Sequence, residues 1–217
     1  MPPSGIRVFF DLVLGMKDVI SLGVGEPDFV TPWNIRERAI HALEEGCTSY
    51  TSNKGLIELR REISKYLKRK YGLDYDPEEE ILITVGVSEA FDLSLRAVVD
   101  RGSSVLIPEP AYVSYGPITM LCGGKPVPIQ TSPESGFKVT PEDIKRSCDK
   151  KTKAMILNYP NNPTGASYSK SELKAIADVI ARRDLIMISD EIYCDLTYDF
   201  EHTPFPTLPR MRRGPSI

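Results

Sequence analysis

From Glu80 onward the chain repeats one pattern: a short apolar run, a turn, then an amphipathic helical stretch. The runs "EILITVG", "SVLIP", "KAMILN" and "DLIMISDE" are continuously apolar instead of alternating. A strand of that kind is buried on both faces. Between the runs lie "SEAFDLSLRAVVD", "AYVSYGPITMLCGG" and "SKSELKAIADVIARR", each with helical periodicity. A helix between successive strands carries the chain back to the sheet's starting edge, so neighbouring strands run parallel. The fold class is therefore α/β, a three-layer α/β/α arrangement with a mainly parallel sheet.

Punctuation residues refine this outline. "TPWNIRERAIHALEEG" reads as a helix with Thr31 as N-cap, Pro32 at the first helical position and Gly46 at its end. "GLIELRREISKYLKRKYG" places Leu56, Leu59, Ile63 and Leu67 on one helical face. Pro117 interrupts the "AYVSYGPITMLCGG" helix or delays its start. The prolines of "KPVPIQ" suit an irregular or edge strand. "TPEDIKRSC" opens on Thr140 and Pro141, and Ser169 with Glu172 forms a capping box. "FEHTPFPTLPRMRRGPSI" has no periodicity and reads as a long loop.

Composition excludes several classes. The chain has 217 residues, a net charge of −3, and 41% hydrophobic and 26% charged residues. No basic block reaches five residues, and the densest, Arg210 to Arg213, reads as a solvated loop, so no nucleic-acid partner is expected. No uncharged run approaches the roughly 18 residues of a membrane span. The apolar stretch Val8 to Leu14 is cut by Asp11 and lacks a signal-peptide cleavage pattern. Cys47, Cys122, Cys148 and Cys194 are scattered, and His41 and His202 lie far apart. That spacing argues against a disulfide framework or a metal site and fits a reducing, cytoplasmic compartment.

In an open parallel sheet, ligands bind outside the carboxyl ends of the strands. After "EILIT" come Val85, Gly86, Val87 and Ser88, a small-residue turn into a helix, where backbone N–H groups suit phosphate. After "SVLIP" comes Tyr112, an aromatic able to stack on a flat ring or to join the core. After Asn158 comes "YPNNPTG": Pro163 pushes Asn162 toward extended backbone and Gly165 permits a turn. Asn162 is thus a polar side chain on a stiffened loop, although self-satisfied turn asparagines would look the same. Asp190 ends an apolar strand, a costly place for a charge unless it is paired, and a protonated ring nitrogen would repay that cost. Four apolar residues before Asp190 and Glu191 also fit a Walker B strand, but no G-x-x-x-x-G-K-[ST] stands upstream.

Taken in order, "SLGVGEPDF", "YTSNKGLIELRREI", "ITVGVSEA", "PEPAYVSY", "NYPNNPTG" and "SDEIYCDL" resemble the class I/II aminotransferases, fold-type I enzymes that use pyridoxal phosphate (PLP). The motifs run from Ser21 to Leu196. The resemblance implies an enzyme moving an amino group between an amino acid and a 2-oxo acid. It implies that Asn162 and Tyr193 hydrogen-bond the phenolic oxygen of PLP and that Asp190 faces its pyridine nitrogen. Tyr112 would stack on the ring, and the amides of Gly86, Val87 and Ser88 would hold the phosphate. Tyr50 would reach the phosphate of a neighbouring subunit's cofactor, which implies a homodimer with shared sites. Gly25 would lie over the substrate, with Asn162 also near it. Residues 1–32 would form an arm belonging to a small domain, and 33–217 the PLP-binding large domain, truncated at its C-terminal end.

The family pattern also has a lysine in S-x-x-K that forms the Schiff base, and no such motif occurs before Ile217. It is expected just after Ile217, so no catalytic residue is assigned within the chain. Lys170 and Lys174 read as a solvated helix face. The chain is expected to be the first half or so of such an enzyme, with an unpaired sheet edge and exposed apolar surface. Two alternatives share the motifs: a PLP-dependent lyase or decarboxylase of the same fold, and a non-catalytic fragment that kept the fold.

Overall fold

The computed structural model describes Met16, Ile20 and residues 29–212. The chain divides into two compact units, Met1–Thr51 and Ser52–Ile217. The first contains helix α1, Trp33–Glu44. Pro32, not Thr31, occupies its N-cap, and no side chain caps it. Gly46 follows with a φ of 74°, as a helix-ending glycine should.

The second unit opens with α2, Ile57–Tyr71, which ends at Gly72 in the left-handed conformation. Its buried residues are polar, Arg60 and Ser64. Arg60 donates to the carbonyl of Pro77 at 2.6 Å, and the Ser64 hydroxyl to that of Tyr75 at 2.6 Å. These bonds hold the loop between α2 and the next helix. Leu56 and Leu59, grouped with Ile63 and Leu67 on one face, are exposed.

Next come α3, Gly86–Val98; β1, Ser104–Glu109; α4, Tyr115–Leu121; β2, Lys125–Gln130; and α5, Pro141–Ser147. They are followed by β3, Thr152–Asn158; α6, Lys170–Arg182; and β4, Ile186–Asp190. The strands form one sheet in the order β2-β1-β3-β4, every pair parallel. The Pro-bearing β2 sits at an edge, where a missing N–H costs least. α5 and α6 both carry capping boxes, Thr140 with Asp143 and Ser169 with Glu172. α4 begins late, at Tyr115, with Pro117 inside its first turn.

Alternate strand residues point to opposite faces, and here both faces are covered. Leu106, Met155, Leu157 and Met187 join a core with Ile144, Leu173, Ile176 and Ile180 of the α5–α6 layer. Val105, Ile107, Ala154, Ile156 and Ile188 join a second core with Phe91, Leu95 and Tyr115 of the α3–α4 layer. This two-sided burial is why the strands read as unbroken apolar runs. The stretch after β4 is largely loop, with short 3₁₀ turns at Cys194–Leu196 and Phe205–Thr207. Its Phe205, Leu208 and Met211 nonetheless pack into the first core.

One expected strand is absent. The run "EILITVG" is not in any sheet of the described residues, and Leu82 and Val85 are exposed. Its apolar side chains border a groove of about 550 Å³ shared with Ile63 and Leu67 of α2 and Leu93 of α3. A strand requires an edge to pair with, and among the described residues no strand lies beside this one.

Candidate functional site

The carboxyl ends of β3 and β4 are in register, Asn158 beside Asp190. Asp190 is 2% exposed. Its Oδ2 accepts from the Tyr115 hydroxyl at 2.6 Å, and its Oδ1 from the Ile192 N–H at 3.2 Å. Burial pushes the Asp190 carboxyl above its ordinary range; the Tyr115 and Ile192 hydrogen bonds pull the other way, and Glu191 adds to the rise. Among the described residues, no cation contributes to this shift. Burial, reinforced by the Asp190 charge, in turn pushes the Tyr115 hydroxyl up, so it stays a proton donor. The result is a desolvated carboxylate that, among the described residues, has only neutral donors, and a cationic group entering the cleft would relieve it.

The turn after β3 presents Asn162. Asn161 closes this turn with its backbone, donating to the Ala166 carbonyl at 2.9 Å and accepting from the Gly165 N–H at 2.8 Å. Its side-chain Oδ1 also accepts from the Thr164 hydroxyl at 2.9 Å. Gly165 has a φ of 72°, the left-handed region that favours glycine. The asparagine that satisfies the turn is therefore Asn161, which leaves the Asn162 carboxamide free to point elsewhere. Its Nδ2 lies 3.4 Å from the Tyr193 hydroxyl. Asn158, 5% exposed, accepts from the Asn162 N–H at 2.7 Å and donates from Nδ2 to the Asp190 carbonyl at 3.1 Å.

The third element is the start of α3. Gly86 takes a φ of 77°, and the Thr84 hydroxyl donates to its carbonyl at 3.0 Å. The amides of Gly86, Val87 and Ser88 stand in the first helical turn, where helix geometry supplies no acceptor. They therefore face an anion favourably, helped by the helix dipole. Tyr112 stands over the same space, its hydroxyl 3.4 Å from the Ser88 Oγ and its ring edge-on to Tyr115 at 5.6 Å. Hydrogen bonding by Ser114 and then Ser88 lowers the Tyr112 hydroxyl.

These groups line one cleft of about 210 Å³: Gly86, Val87 and Ser88; Tyr112; Asn162; Asp190 and Tyr193. Seven of the sequence-predicted site residues thus converge. Tyr50 belongs to the first unit and is fully exposed there, and Gly25 lies outside the described residues. The cleft can take a planar ring against Tyr112, a ring cation at Asp190, an oxygen between Asn162 and Tyr193, and an anion at α3.

Tyr115 and Asn158 also line the cleft, and the sequence reading gave neither a role. A second tyrosine three residues after Tyr112 was the signal for the first. For the second, it was a polar residue ending an apolar strand level with Asp190. Glu191, the first residue past β4, does not join Asp190 in the cleft. Its carboxylate turns away from the cleft, accepting from Ser189 Oγ at 2.7 Å and the Phe205 N–H at 3.0 Å, with His202 Nε2 at 2.8 Å.

Comparison with known proteins points to one family. The model of the family described as aminotransferase class I and II matches residues 17–216. The Bacillus subtilis protein YugH, named as an aminotransferase, is 51% identical over 97% of this chain and 54% of its own length. An aspartate aminotransferase of Pyrococcus abyssi is 49% identical over 91% of this chain and 51% of its own length. Among solved structures, Pyrococcus protein-A1 superposes with a TM-score of 0.93 at 46% identity, covering 97% of this chain and 54% of that one. The chain spans about half the length of the curated relatives it matches. Among the described residues, no helix is long and apolar enough to cross a membrane.

Proposed function

This chain belongs to the aminotransferase class I and II family, and we propose that its cleft is the PLP site of an enzyme moving an amino group between an amino acid and a 2-oxo acid. The carrying observation is the buried Asp190 carboxylate, held among the described residues by neutral donors and facing the same cleft as Asn162, Tyr193, Tyr112 and the α3 amides. Those groups fit this cofactor part by part: a ring face, a basic ring nitrogen, a phenolic oxygen and a phosphate.

When bound, PLP supplies an electron sink for the substrate's α-carbon. The chain's own residues do the rest. Asp190 holds a proton on the ring nitrogen, a role its burial strengthens because a desolvated carboxylate gains most from a cation. Tyr115 and the Ile192 N–H fix that carboxylate's orientation. Asn162 and Tyr193 donate to the phenolic oxygen, Tyr112 covers one ring face and excludes water there, and the amides of Gly86, Val87 and Ser88 hold the phosphate. By the family resemblance Gly25, outside the described residues, would lie over the substrate. The same reading carries a homodimer in which the exposed Tyr50 reaches the partner's cofactor phosphate, and a cytoplasmic place in amino-acid metabolism.

The test is transamination by the whole product of the gene that encodes this chain. Loss of the amino donor and of the 2-oxo acid should match one to one. Release of ammonia, sulfide or carbon dioxide without that match would replace this reading with a lyase or decarboxylase.

A further inference from the structure

Two residues of the proposed site, Asn162 and Asp190, come from different strand ends, yet one side chain touches both. Asn158 accepts from the Asn162 N–H at 2.7 Å and donates to the Asp190 carbonyl at 3.1 Å. It is 5% exposed, so water does not replace either bond. The Asp190 carbonyl also accepts from the Tyr159 N–H at 3.2 Å, which makes this the last linkage between β3 and β4 before the strands part. Beyond it the chain turns away on both sides, into the Asn161–Ala166 turn and toward Tyr193.

We propose that Asn158 is a positioning residue that sets the spacing between Asn162 and Asp190, and so between the groups that meet the two ends of one bound ring. The claim rests on the reading of the cleft as a PLP site. The residue type follows from the two bonds. One partner offers a proton and the other a lone pair, and a carboxamide supplies both complements at once. A carboxylate keeps the acceptor, loses the donor and places a second buried negative charge near Asp190. An alanine loses both bonds and leaves the Asn162 N–H and the Asp190 carbonyl short of a partner. Asn158 does not itself offer the ring a group whose charge changes. Its role is one of register.

The two bonds can be separated by substitution, which a residue needed only for folding would not allow. Hydrogen exchange, followed amide by amide in the 217-residue chain, is the readout. In Asn158→Ala the Asn162 amide should exchange about tenfold faster or more, the rate change set by one lost hydrogen bond, with the β1 and β3 amides unchanged. In Asn158→Asp the acceptor survives, so protection at Asn162 should stay within about threefold of the wild type. PLP affinity, followed by quenching of the chain's own fluorescence, should fall about tenfold or more in both variants. Equal Asn162 exchange in Asn158→Ala and the wild type overturns the proposal. So does loss of protection across β3 and β4 alike in Asn158→Asp, which would make the residue a fold determinant. If the exchange pattern holds but the wild-type chain binds no PLP, the positioning of Asn162 stands and the cofactor reading falls.

Discussion

Two apolar runs of nearly the same chemistry meet opposite fates in this molecule. Val105, Leu106 and Ile107 lie in the middle of the sheet, none more than 3% exposed. Ile81, Leu82 and Ile83 form no strand, and Leu82 is 51% exposed. β1 has a parallel neighbour on each edge and a helical layer on each face. The 81–84 stretch has the groove beside it and is tied mainly through the Ile83 N–H to the Lys54 carbonyl. The comparison teaches that an apolar run specifies a potential strand, while pairing and coverage decide whether it becomes one.

The contrast can be broken by substitution, and the largest effect belongs to the closed side. Phe91→Ala, beneath the sheet in a fully buried position, should cost about 3–5 kcal/mol in denaturant unfolding. Leu93→Ala, two residues along the same helix but facing the groove, should cost under about 1 kcal/mol. Equal costs would mean that the groove is packed in solution.

Glu191→Ala comes next. It would strand His202, the Phe205 N–H and the Ser189 hydroxyl, and a loss of about 3 kcal/mol is expected from thermal or denaturant melts. Segment 202–211 should then become the first site of limited proteolysis, because that carboxylate ties it to the sheet.

Asp190→Asn should have a smaller effect of the opposite sign. Burial raises the Asp190 carboxyl in the folded chain, so the folded state binds its proton more tightly than the unfolded state does. Wild-type stability therefore declines as pH climbs from the ordinary carboxylate range through the raised folded value. The asparagine carries no such cost. The variant should match the wild type in acid and melt higher than it at neutral pH, as differential scanning calorimetry at several pH values would show. The smallest stability change is expected at Leu82→Asp, within about 0.5 kcal/mol. Its visible effect should be on association, with less light scattering at high concentration, because exposed apolar surface is removed.

Much of this was legible because burial on two faces writes itself into sequence. "SVLIP", "KAMILN" and "DLIMISDE" became β1, β3 and β4 for that reason, and the Thr140–Pro141 opening and the capping box at Ser169 marked two helix starts. The residues of the cleft were legible from strand ends and stiff turns, together with the order of the motifs. Three features were not. The fate of "EILITVG" depends on a neighbour that its own residues do not encode. Of the apolar stripe at α2, Ile63 and Leu67 border the groove and Leu56 and Leu59 are exposed, while Arg60 and Ser64 are buried because their side chains complete backbone bonds of a later loop. The roles of Tyr115 and Asn158 depend on the register of β3 against β4, which periodicity does not set.

The cleft itself is most directly tested by titrating PLP into the wild-type chain and into Asp190→Asn, following the cofactor's absorbance and the protein's fluorescence. The account predicts reversible binding to the wild type and an affinity lower by about tenfold or more in Asp190→Asn, the loss of one charge-assisted hydrogen bond. The variant should show this loss while melting at or above the wild-type temperature at neutral pH. Equal affinity in the two proteins would contradict the claim that the buried carboxylate of Asp190 holds the ring.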